Sequence, residues 1–164
     1  VGAMNNAHAV EADSLSVDAT QQVIYCTALW AGGQKALSDA LQAGIAVTVV
    51  WNVQVEEVHS YWLNSPVAEI QLRRRVVPDL LSRNWLLEDV ASGISRRVYS
   101  LPEAVRFLSS LESFPVLDRT LLVADAVYRM SITIEQHDGD MSDAWWARFW
   151  RHEHFNMQQD FSLL

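Results

Sequence analysis

His152, Glu153 and His154, with His137, Asp138 and Asp140 a short way upstream, are the residues of this chain best suited to chemistry. Imidazole nitrogens and carboxylate oxygens are the donor set of zinc and related divalent ions. On a strand, His152 and His154 share one face at a workable ligand spacing. His137 or Asp140 would complete such a site and make a metal-dependent enzyme. Yet no H-E-x-x-H helix and no cysteine pair supports them. Asp138-x-Asp140-x-Ser142 imitates the opening of a calcium loop, but its sixth position is Asp143 where the turn needs glycine, and the closing glutamate is missing. Solvated polar loops, with no metal and no other cofactor, are the expectation.

Other catalytic patterns are missing too. There is no G-x-S-x-G elbow, no phosphate-binding glycine loop and no dinucleotide fingerprint, so the expected protein is not an enzyme. Cys26 is the single cysteine. It lies in the apolar run Val23-Ile24-Tyr25-Cys26-Thr27, where a thiol is ordinarily a small buried hydrophobe. A lone cysteine also excludes an intramolecular disulfide framework.

Two further groups stand out. Trp145, Trp146, Phe149 and Trp150 fall on two adjacent rows of a helix, Trp145 above Phe149 and Trp146 above Trp150. Such a stripe either closes the open end of a β structure or forms a contact surface for a protein partner or a bilayer interface. These four are the candidate interaction residues. Arg74, in Arg73-Arg74-Arg75, shares the strand face of Ile70, Leu72 and Val76, so it points inward and needs a carboxylate or carbonyl partner.

The elements that must position these groups are mostly strands. Leu122 to Ile134 alternates apolar and polar residues, the period of a strand with one face buried. Ile45–Val58 and the C-terminal run from Phe155 to Leu163 repeat that period. Further strands are expected at 13–18, 21–30 and 69–76, and as a hairpin of 84–90 and 94–101 turning at Ala91-Ser92-Gly93. A short helix is expected from Lys35 to Ala43, closed by Gly44, and a second from Pro102 with Ala104, Val105, Leu108 and Leu111 on one face. Tyr61-Trp62-Leu63 falls in a turn-rich connection, and Ser113–Arg119 reads as a loop. One or two helical turns are expected between Asp143 and Arg151, after the N-cap Ser142. The fold class is mainly β: an antiparallel two-layer sandwich, immunoglobulin-like or similar, with two or three short helices.

At 164 residues the chain is the size of one domain. Residues 1–12 read as a tag and unstructured tail, and 13–164 as a single sandwich domain. A net charge of −8 argues against a nucleic-acid partner, since that affinity rests on Lys and Arg meeting phosphates. No apolar run approaches the roughly 18 residues of a membrane-spanning helix. Ala7-His8-Ala9 has the small-x-small form of a signal-peptidase site.

The order of features carries a resemblance. Leu37-Ser38-Asp39-Ala40-Leu41-Gln42-Ala43-Gly44-Ile45 leads into a long strand. Tyr61-Trp62-Leu63 follows, then a strand ending in arginines, then Tyr99-Ser100-Leu101-Pro102-Glu103-Ala104-Val105 and Tyr128-Arg129-Met130-Ser131-Ile132. From Leu37 to Ile134 the chain resembles the bacterial family known as domain of unknown function 4390, small proteins that typically carry an export signal. The resemblance implies a periplasmic or envelope setting, the export signal having been trimmed, and a genetic neighbourhood that often includes a membrane histidine kinase. It implies no activity or catalytic residue. The expected role is a protein-interaction module with a protein partner at the cell envelope. The alternative is a carrier or sensor of a small apolar ligand held between the sheets.

Overall fold

Nine strands and two helices follow one another in the computed structural model, which describes residues 12–139 and 153–163, the side chains of 153 and 154 excepted. β1 (Ser14–Ala19) and β2 (Val23–Leu29) form a hairpin. A single 3-10 turn then leads into α1 (Gln34–Gln42). β3 (Val47–Glu57), β4 (Ser65–Asp79), β5 (Asn84–Asp89) and β6 (Ser95–Val98) form a meander. α2 (Leu101–Ser109) runs directly into β7 (Ser110–Asp118), and β8 (Tyr128–Asp138) and β9 (Glu153–Phe161) follow. All pairings are antiparallel and make two sheets, β1-β2-β7 and β6-β5-β4-β3-β8-β9. The domain is therefore mainly β and two-layered, as expected, with unequal sheets. No helix among the described residues is long and apolar enough to cross a membrane.

Register explains why β3 and β8 lie at the centre of the large sheet. Residues directly opposite in an antiparallel pair share a face. Trp51 stands opposite Leu72 and Ile134, and Val53 opposite Ile70 and Ile132, so the alternations of three strands coincide on one apolar face. Ile24, Cys26 and Ala28 of β2, Leu111 of β7, and Leu37, Leu41, Ala104 and Leu108 of the helices belong to the same buried cluster. Each large side chain so buried contributes about 1.5–3 kcal/mol.

The helices end differently. Gly44, at φ 80°, takes the left-handed position after α1 that a side chain would strain, and its N–H donates to the Leu41 carbonyl at 3.1 Å. α2 has no such glycine, because side chains hold its last carbonyls. Ser110 Oγ donates to the Arg106 carbonyl at 2.7 Å, Arg74 Nη1 to that of Phe107 at 3.0 Å, and Trp51 Nε1 to that of Leu108 at 3.1 Å. Two of these three donors come from the large sheet, so the sheet fixes where the helix stops.

Four segments differ from the sequence reading. Ser113–Asp118 is not loop but the greater part of β7, with Val23 opposite Asp118 and Ile24 opposite Leu117. Leu122–Val127 is not strand but the crossing from β7 to β8. There Leu122 is buried and Ala126 packs on the core while Val123 and Val127 are exposed. Alternation reports burial of every second residue, and a chain crossing the end of a core can show it with no ladder partner. The second strand of the hairpin is only Ser95–Val98, since α2 begins at Leu101. β4 is longer than expected because Pro66 and Pro78 sit inside it. Pro66 lies at a register shift, and Pro78 lies beyond the last residue paired with β3. The helical turns expected at 143–151 fall outside the described residues.

Candidate interaction surface

The β3–β4 ladder closes at Glu57 and Ser65, and residues 58–64 connect the two strands in a tied loop. The His59 N–H donates to Asn64 Oδ1 at 3.4 Å, and Asn64 Nδ2 donates to Glu56 Oε2 at 3.2 Å. His59 Nε2 and Ser65 Oγ share a hydrogen bond of 2.9 Å. The His59 ring also rests against the Trp62 indole, with centroids 5.2 Å apart. With the polar groups of the loop turned back onto the strands, its three large apolar residues face outward: Tyr61 is 92% exposed, Trp62 67% and Leu63 89%.

A second segment reaches the same end of the molecule. Residues 119–127 carry the chain from β7 in the small sheet to β8 in the large one. Asp118 accepts from Thr120 N at 2.9 Å and Thr120 Oγ1 at 2.8 Å, which also holds its carboxyl below the usual carboxylate range. Arg119 reaches the β1–β2 turn, donating from N to the Gln22 carbonyl and from Nη1 to that of Thr20, at 2.9 and 2.7 Å. Val123 N donates to the Tyr128 hydroxyl at 2.8 Å, and Val58 N to the Val127 carbonyl at 2.8 Å. The last bond joins the crossing to the 58–64 loop. Leu121 (61% exposed), Val123 (59%) and Val127 therefore project from the end that carries Tyr61, Trp62 and Leu63. Loops this firmly bonded keep large apolar side chains in water, an arrangement that marks contact surfaces.

The residues singled out from sequence fall elsewhere. Trp145, Trp146, Phe149, Trp150, Asp140 and His152 lie outside the described residues. Residue 154 is opposite Glu135 in the β8–β9 ladder. His137 lies on the solvent side of β8, its Nε2 3.4 Å from Glu135 Oε2. Among the described residues, no three of His, Cys, Asp and Glu gather as a metal-binding group. Arg74 points beneath α2. Its Nη1 donates to the Phe107 carbonyl and, at 2.7 Å, to that of Ser110, and its guanidinium lies 4.9 Å from the centre of the Phe107 ring. Burial lowers its pKa, an effect that Asp89 and Glu112 oppose. Cys26 is buried, which pushes its thiol up to about 11. A shallow open groove of about 570 Å³ runs between α1 and α2, lined in part by Gln34, Ser38, Leu101 and Val105.

Tyr61-Trp62-Leu63 was visible in the sequence as a consecutive apolar run within a turn-rich connection. A run of that kind has no core to enter, which is the signal of an exposed surface. Leu121 and Val123 carried no comparable signal, since their alternation imitates a strand.

The fold and this tip define a two-sheet β domain that presents apolar loops from one end. The chain belongs to the family described as Domain of unknown function (DUF4390), whose model matches residues 7–144. That match takes in both loops of the tip, both helices and β1 through β8. No curated protein and no solved structure matches the chain.

Proposed function

We propose that this chain is a non-enzymatic protein-interaction module of the cell envelope, and that the tip built from residues 58–64 and 119–127 is its contact surface. One observation carries the reading: Tyr61, Trp62 and Leu63 are held outward by a loop whose polar groups bond back to the strands. Holding three large apolar residues in water is costly unless a partner covers them, and tryptophan and tyrosine are the residues that most often dominate protein contacts. The envelope setting is supported by what the family resemblance implies.

The test is a Trp62→Ala/Leu63→Ala double variant. Both side chains lie outside the core, so unfolding by heat and the circular dichroism spectrum stay as in the parent. Co-elution of the protein with its partner from solubilised envelopes is lost, because truncating a hot-spot aromatic costs about 2 kcal/mol or more, roughly thirtyfold in affinity. A folded double variant that still co-elutes as the parent does would refute the assignment.

A further inference from the structure

The charges around the tip name the kind of surface it fits. Asp18 is the last residue but one of β1, beside the β1–β2 turn, Glu56 and Glu57 end β3, Asp118 ends β7, Asp125 lies in the crossing, and Asp160 stands near the end of β9. Among the described residues, only two guanidinium groups accompany these six carboxylates, and both are engaged. Arg129 is bidentate to Asp160, with Nε to Oδ1 at 2.8 Å and Nη2 to Oδ2 at 3.2 Å, and Arg119 donates to the Thr20 carbonyl. The remaining described lysine and arginine residues lie on α1, on α2, in the half of the large sheet away from the tip, or, for Arg83, in the β4–β5 turn at that far end. Among the described residues, no ion pair forms at Asp18, Glu57, Asp118 or Asp125.

An apolar centre within an acidic ring is complementary to an apolar centre within a basic ring. We propose that the tip docks onto a protein segment whose apolar side chains are flanked by lysine or arginine. This rests on the assignment of the tip as the contact surface and adds the chemistry of what it contacts. A bilayer fits less well: the same carboxylates are repelled by anionic lipid, and neither described guanidinium at the tip is free of a carboxylate or carbonyl partner to meet phosphate.

The probes are two synthetic amphipathic peptides of one length, one of leucine and lysine and the other of leucine and glutamate, together with vesicles of phosphatidylcholine with or without phosphatidylglycerol. Binding is followed calorimetrically with the full chain. The lysine peptide binds at least tenfold more tightly than the glutamate peptide and weakens at least tenfold between 50 and 500 mM salt. Trp62→Ala weakens it about tenfold or more, and Asp18→Asn/Glu57→Gln/Asp125→Asn about fivefold or more with most of the salt dependence removed. Asp39→Asn, on α1 at the other end of the fold and paired there with Lys35, changes nothing. Equal binding of both peptides that still depends on Trp62 would leave the tip as contact surface and overturn the basic partner. Peptide binding indifferent to Trp62 would overturn both. Partition into either vesicle, abolished by Trp62→Ala and without preference between peptides, would assign the tip to a bilayer and overturn the proposal.

Discussion

Replacing Arg74 by methionine isolates the bond between the large sheet and the end of α2. Methionine keeps most of the apolar stem but removes two donations from Nη1, to the carbonyls of Phe107 and Ser110. Hydrogen bonds from a charged donor contribute about 1.5–3 kcal/mol each, so the gross loss is about 3–6 kcal/mol. Against this stands the cost of removing the guanidinium from water. That cost includes Arg74 Nε, which is buried with no hydrogen-bond partner among the described residues, a penalty of about 1–3 kcal/mol. Replacing a whole buried ionic network by apolar groups can be neutral. Here the acceptors are main-chain carbonyls that the substitution leaves behind, so the balance stays destabilising, by about 2–3 kcal/mol. In a domain of this size that lowers Tm by about 4–12 °C. Urea unfolding followed by tryptophan fluorescence measures the first quantity and calorimetry the second. Arg74→Lys keeps the charge but replaces the planar fork with a single ammonium, and falls between the two. A methionine variant within about 0.5 kcal/mol of the parent, or a lysine variant less stable than methionine, would refute the reasoning.

Three other outcomes follow from packing and titration. Gly33→Ala would drive a methyl into the Trp30 indole, which is buried and stacked on Phe155 of β9 at 6.4 Å, so it destabilises by about 1–3 kcal/mol in urea and disturbs the near-ultraviolet dichroism of that pair. Cys26, with its thiol pushed up to about 11 by burial, stays unreacted with a thiol reagent at pH 7.5 and reacts fully in denaturant; rapid reaction of the folded protein would show the β2 core to be open. Asp160, whose carboxyl the Arg129 hydrogen bond depresses, contributes its stabilisation fully above about pH 4 and loses it as pH falls through the lower native value. Carboxyl NMR that found Asp160 titrating at or above an ordinary aspartate, or a native value unmoved by Arg129→Gln, would contradict the pair.

Residues that see the same environment along a whole strand were legible in the sequence. β3 was read almost to its observed ends because each of its inward positions meets a strand on both sides. Arg74 was legible as an inward side chain in need of a partner, from its neighbours on the strand alone. Its acceptors were not, because the Phe107 and Ser110 carbonyls become available only through the way α2 ends, a tertiary event. The crossing at 119–127 misled for the opposite reason, being patterned by the core it passes over rather than by a neighbouring strand. The tip was half legible. Tyr61-Trp62-Leu63 stood in view, but its outward orientation depends on side-chain bonds among His59, Asn64, Ser65 and Glu56, which no periodicity encodes.

Site-specific photocrosslinking in intact cells tests the central claim most directly. A benzophenone side chain is placed in turn at positions 61, 62, 63 and 81. Leu81 is 99% exposed in the β4–β5 turn at the opposite end of the large sheet, and so serves as an equally exposed apolar control. The tip reading predicts one discrete protein adduct shared by positions 61, 62 and 63 and none of that mass at 81. Equal adduct yields at both ends, or an adduct at 81 alone, would contradict it.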